Sequence, residues 1–243
     1  TVQAGGVVAG RGGDGGRGGR AYILFPDPAT YVNYIGGYLP SPTSPVHGKN
    51  GGNAIRTFRP LTITLAGIIS VGGGGGGASG GAIARYVSSQ GITPGLTQTG
   101  SGAGGGWPLG AGGLPGQIDK DDLLTADYVD YDDQTYYKNH IHHIGNAGQT
   151  VSSATPTVAQ GGAGRDHIRD YHFYANTPNG GAGGCPPLAA TANFGAGGTW
   201  YGETSYCAGG DGGNAGAAGT IAINGIANVT LINNGGNIYG SQV

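Results

Sequence analysis

The residues able to do chemistry are gathered into three islands. The first, DKDDLLTADYVDYDDQTYYKNHIHH from Asp119 to His143, holds seven of the thirteen acidic residues, four of the fourteen tyrosines and three of the six histidines. The second, RDHIRDYHFYAN, runs from Arg165 to Asn176, and the third, TWYGETSYC, from Thr199 to Cys207. Tyrosine and tryptophan present large, stiff, amphipathic area with little entropy to lose, and Asp, Asn and His add directed hydrogen bonds; together these make a recognition surface. The contacts are expected from Tyr128, Asp130, Tyr131, Asp132, Tyr136 and Tyr137 in the first island. His167, Tyr171, Phe173 and Tyr174 follow in the second, and Trp200, Tyr201 and Tyr206 in the third. The competing role for such aromatics is to pin long loops by packing, and we expect a division between the two.

Metal and catalytic chemistry find less support. His140 and His142 fall on one side of an extended strand, a spacing that suits a structural metal ion, and three such pairs around a threefold axis would offer six nitrogens. A hydrogen-bonded surface histidine is the simpler reading. Asp130 to Asp133 lacks the glycine and distal Glu of an EF-hand loop and reads as a solvated acidic loop. A glycosidase needs two carboxylates flanking a sugar, and the sole Glu203 sits apart from Asp119, Asp127 and Asp166. No nucleophile elbow, zincin, P-loop or Rossmann fingerprint occurs in its required setting. The expectation is a non-enzymatic protein without an organic cofactor.

Something must hold these islands, and the composition says what. Of 243 residues 57 are glycine, 10% are charged and 37% are hydrophobic, with a net charge of −2. A disordered chain would carry more charge and less hydrophobicity. The arginines are scattered, so no nucleic-acid-binding stripe exists, and no apolar run is long enough to be a membrane-inserted helix. Glycines keep a period of three at Gly12 to Arg20 and at Gly209 to Gly219, and Gly72 to Gly81 is GGGGGGASGG. Three is the turn of the polyproline-II helix, which has no internal hydrogen bonds and must bond sideways. Faces bearing only hydrogen let such helices bond backbone to backbone, in layers. The third positions, Arg11, Asp14, Arg17, Arg20, Asp211 and Asn214, would line the outside.

Four segments repeat a short apolar alternation with a small turn: Thr1 to Gly10, Thr30 to Pro40, Thr62 to Gly72 and Val229 to Gly240. They read as short strands with tight turns, too small to bury their apolar residues alone. Stacked, they would bury Ile55, Ile63, Leu65, Ile68, Ile69, Ile221, Ile223, Val229, Leu231 and Ile238. The fold class expected is mainly β and irregular: strand repeats, a layered polyglycine-II bundle and long distal loops. One Gly-rich domain spans 1–243, its frame in 1–116 and 208–243 and its loops in 117–207. Thr1 enters its repeat halfway, which leads us to expect the C-terminal piece of a longer polypeptide. Cys185 and Cys207 allow a disulfide or two free thiols.

The strand GIISV running into GGGGGGASGGA, the islands between glycine blocks, and the terminal GGNAGAAGTIAINGIANVTLINNGGNIYGSQV resemble the Gly-rich tip adhesins of bacteriophage long tail fibres, the receptor-recognition proteins of T-even-type phages. They are similar too to the Gly-rich C-termini of other tail-fibre chains, and the resemblance covers Asn53 to Val243. It implies a polyglycine-II sandwich at the distal tip of a virion fibre, whose loops bind a bacterial outer-membrane protein or surface glycan. The partner on the other side would be the remainder of a trimeric tail fibre, with this chain as its cap or its C-terminal part. Two alternatives stand beside it: a structural or ice-binding polyproline-II bundle, which has no use for large loops, and a polysaccharide depolymerase.

Overall fold

The computed structural model describes residues 1–19, 47–81, 99–116, 145–163, 179–195 and 212–243 in full. Between them it describes the backbone of the strands within 82–98, 141–143, 165–177 and 199–209. No described helix is long and apolar enough to cross a membrane.

One end, the base, is a ladder of parallel strands built from the repeats. Strands β1 (Val7–Ala9), β2 (Ile55–Arg56), β3 (Leu61–Leu65) and β4 (Ile68–Ser70) belong to the first half of the chain. The last residues supply β14 (Ile221–Asn224), β15 (Val229–Asn233), β16 (Asn237–Tyr239) and β17 (Ser241–Gln242). The repeats do not fold back as hairpins. Equivalent positions of different repeats pair in parallel, Leu61 with Val229, Ile63 with Leu231, Ile69 with both Val8 and Ile238, and Ile55 with Ile223. Pairing like with like stacks apolar side chains over one another, which a hairpin of one repeat cannot do. Ile63, Leu65, Ile69 and Ile223 are buried as expected, with Ile55, Val229, Leu231 and Ile238 half-buried against them; Val2, Val71 and Ala222 join this core. The Thr30 to Pro40 repeat lies outside the described residues.

From the ladder the chain runs into ten extended segments, 10–19, 47–53, 72–81, 99–107, 110–116, 145–151, 158–163, 179–185, 190–195 and 212–219. Their bonds run between segments at every third residue. Gly10, Gly13, Gly16 and Gly19 donate in turn to the carbonyls of Ser70, Gly73, Gly76 and Ser79. That period is the polyproline-II turn. The 72–81 segment donates to 47–53, 99–107 and 190–195 and accepts from 10–19, 179–185 and 212–219, and these six bond to one another in a closed ring. The 99–107 segment is likewise ringed, by 10–19, 72–81, 179–185, 158–163, 145–151 and 110–116. Two fused hexagons give three layers of three, four and three segments: 47–53, 10–19 and 110–116; 212–219, 72–81, 99–107 and 145–151; 190–195, 179–185 and 158–163.

Glycine stands where a residue faces a neighbouring backbone. Methyl groups placed on Gly72 to Gly77 would meet carbonyl oxygens of Arg11, Gly184, Gly216, Asp14, Gly181 and Gly213 at 1.9 to 2.2 Å, cycling through three neighbouring segments. This stretch therefore needs glycine at each position, while the equally ringed 99–107 buries Ser101 and Ala103. The 10–19 segment has four neighbours and needs two in three, leaving Arg11, Asp14 and Arg17 free to face outward. The 145–151 segment keeps only Gly145 and Gly148. Arg11 and Asn214 are exposed and Asp14 and Arg17 half-buried, as the third positions were expected to be; Arg20 and Asp211 lie outside the described residues.

Outer segments also seal their free edges with side chains. His47 Nδ1, Asn50 Oδ1 and Asn53 Oδ1, three residues apart, accept from the N–H groups of Asn214, Ala217 and Ile221. Thr150 Oγ1 accepts from Gly112 N–H at 2.8 Å and Asp14 Oδ1 from Ala111 N–H at 3.2 Å. Arg11 and Lys49 pair with the same Asp14 carboxylate at 2.7 and 3.1 Å. Burial pushes the Asp14 carboxyl up, but the Ala111 N–H, Lys49 and Arg11 outweigh it, and the net direction is below its ordinary 3.8. Its stabilisation is therefore full above that value and lost as pH falls through the lower native one. Asp14→Asn is expected to lower stability at neutral pH by about 1 kcal/mol or less, because both cationic partners are exposed. Urea midpoints should converge with those of the parent at strongly acid pH; a gap that widens there would contradict this assignment.

Candidate functional site

The segments alternate in direction. The 10–19 and 72–81 segments run in parallel away from the base, 99–107 returns beside them, and the alternation continues to 212–219, which comes back to β14. The turns at the base are short: Trp107 to Gly110, 152–157, and Cys185 to Ala190 around a single 3-10 turn. They close over a second core of Trp107, Val151, Ala159 and Cys185. Cys185 is free, so the disulfide left open by the cysteine count is not formed, and burial pushes its thiol pKa up.

At the opposite end the connections are long. Residues 20–46, 82–98, 117–144, 164–178 and 196–211 all leave and re-enter the bundle there. All three islands fall within them. The frame itself draws on 145–163 and 179–195, stretches that separate the islands.

Two sheets rise from this end. One holds β13 (Tyr206–Gly209), β5 (Ala82–Arg85), β8 (Leu96–Gln98) and β9 (Ile141–His143) in that order. The other holds β10 (Arg165–Arg169), β11 (Phe173–Thr177) and β12 (Thr199–Gly202), all antiparallel. A small hairpin, β6 (Val87–Ser88) with β7 (Gly91–Ile92), lies between β5 and β8 in sequence. Residues 82–98 thus hold four short strands.

His167, Phe173, Tyr174, Trp200 and Tyr201 are brought into one sheet. Tyr174 pairs with Ile168 and Tyr201, and Ala175 with His167 and Trp200. Tyr206 is opposite Arg85 in the neighbouring sheet, and His142 opposite Thr97. Tyr128, Asp130, Tyr131, Asp132, Tyr136, Tyr137, His140 and Tyr171 lie outside the described residues, within connections whose ends are at this same end. Sequence reasoning passed over Arg165 and Arg169, which share β10 with His167; the alternation Arg-Asp-His-Ile-Arg was the signal.

The family model described as the phage tail fibre adhesin Gp38 matches residues 1–242. No curated protein and no solved structure matches the chain.

Proposed function

The chain belongs to the Gp38 family of phage tail fibre adhesins, and from that premise we propose that its five distal connections form the receptor-binding end of a tail-fibre tip. The observation that supports this most is the one-sidedness of the bundle: the five connections that hold the islands and their neighbours emerge at one end, while the strand ladder, 54–71 included, and the short turns lie at the other. A layered backbone lattice holds the roots of the connections in fixed relative positions. The bound partner is a bacterial outer-membrane protein or surface glycan. The role is binding rather than catalysis. The base, with Phe58, Leu109, Leu188 and Ile232 exposed, is the side turned toward the rest of a trimeric fibre. Several fibres per virion turn modest single-site affinity into avidity.

Fluorescently labelled chain applied to a panel of bacterial strains tests this reading. Strain-restricted binding that blocks virion adsorption is the expected result. Loss of binding after protease treatment of the cells identifies a protein receptor, and survival a glycan. Absence of binding to every strain would move the function to a structural bundle.

A further inference from the structure

The strand register of β10, β11 and β12 gathers basic and aromatic residues onto one sheet face, and we propose that this face binds an anionic saccharide bearing phosphate or carboxylate. The proposal rests on the adhesin reading and names its ligand class. Arg165 is in register with Thr177, His167 with Ala175 and through it Trp200, and Arg169 with Phe173 and through it Gly202. Successive rows alternate between the two faces of a sheet. These three rows therefore share a face, while Asp166–Asn176–Thr199 and Ile168–Tyr174–Tyr201 share the other. The alternation sorts the charges: the first face carries Arg165, His167 and Arg169 and no carboxylate, in a chain whose acidic residues outnumber its Lys and Arg, 13 to 11.

Strands β11 and β12 lie against β5 of the neighbouring sheet. Guanidinium forks match the paired oxygens of phosphate and carboxylate, and the flat faces of Trp200 and Phe173 suit the apolar face of a sugar ring. His167 and Trp200 are two strands apart, about 9–10 Å, with only Ala175 between them. That gap has the width of one substituted ring.

The test is binding of the full chain to immobilised bacterial lipopolysaccharide, to the same material dephosphorylated with hydrofluoric acid, and to a uronic-acid polysaccharide. Binding to a phosphorylated or a uronic-acid polymer is expected, and the arm that binds identifies the anion. Arg165→Gln and Arg169→Gln should each weaken it about tenfold or more, and Ile168→Val on the opposite face should leave it unchanged. Arg169→Lys should fall between parent and Arg169→Gln, since it keeps the charge and loses the fork. Raising salt should weaken parental binding, a readout that needs no variant. Salt-independent binding, equal binding to dephosphorylated material without uronic-acid binding, or no saccharide binding would overturn the proposal. If cells still bind the chain strain-specifically and the arginine variants bind them like the parent, the ligand is a protein and the adhesin reading stands. If no cell binds, both fall.

Discussion

Gly74→Ala is expected to prevent the bundle from forming, while Gly52→Ala, only one layer away, is expected to be tolerated. The new methyl on residue 74 would lie 1.9 Å from the carbonyl oxygen of Gly216 and 2.4 Å from its carbon. Neither backbone can yield alone, because Gly216 donates to the Gly75 carbonyl and Gly74 accepts from Gly184. Relief requires parting whole segments and losing several bonds of about 1 kcal/mol each, beside an overpacking cost of about 1–3 kcal/mol. The sum rivals the whole stability of a typical domain, about 5–15 kcal/mol. At Gly52 the nearest atom to an added methyl is 3.4 Å away, ordinary contact, and the lower chain entropy of alanine makes the change neutral or mildly stabilising. Thermal melting of the two variants distinguishes them. A Gly74→Ala protein that melts like the parent would show that the segments are not bonded backbone to backbone.

The second large effect concerns binding. Grafting the five distal connections of another Gp38-family chain, one with a different host range, onto this frame is expected to transfer strain preference. The frame hydrogen bonds run between the ten segments and the ladder, so exchange of the connections leaves that bonding in place. Loss of several contact side chains, at about 2 kcal/mol or more for each dominant one, should reduce binding to the original host by about a hundredfold or more. The graft should melt close to the parent. A graft that keeps the original preference would place recognition on the frame.

These expectations differ in how directly the chain announces them. The period of three at Gly12 to Arg20 and the unbroken run at Gly72 to Gly77 were legible, because a segment with four or six neighbours has no room for side chains on most of its faces. Segments such as 145–151 and 190–195 were not, because a peripheral strand touches the lattice on few faces and carries ordinary residues on the rest. The stacking of Ile63, Leu65, Ile69 and Ile223 was legible from their alternation. That the repeats pair in parallel with each other was not, since alternation is the same for a hairpin and a ladder. Trp107, which breaks a glycine-rich run in the sequence, belongs at the base to a second core. In the candidate site, the islands and their shared end could be read from composition. The separation of His167, Phe173 and Trp200 from Tyr174 and Tyr201 could not, since it depends on register across three strands.

Hydrogen–deuterium exchange of the whole chain, free and bound to vesicles made from host outer membrane, tests the central claim most directly. The account predicts protection on binding confined to peptides from 20–46, 82–98, 117–144, 164–178 and 196–211. Segments 72–81 and 99–107 should be slow to exchange in both states, since each is ringed by six hydrogen-bonded neighbours. Protection concentrated instead in 54–71 and 220–243, the ladder at the base, would contradict it and turn the molecule end for end on its fibre.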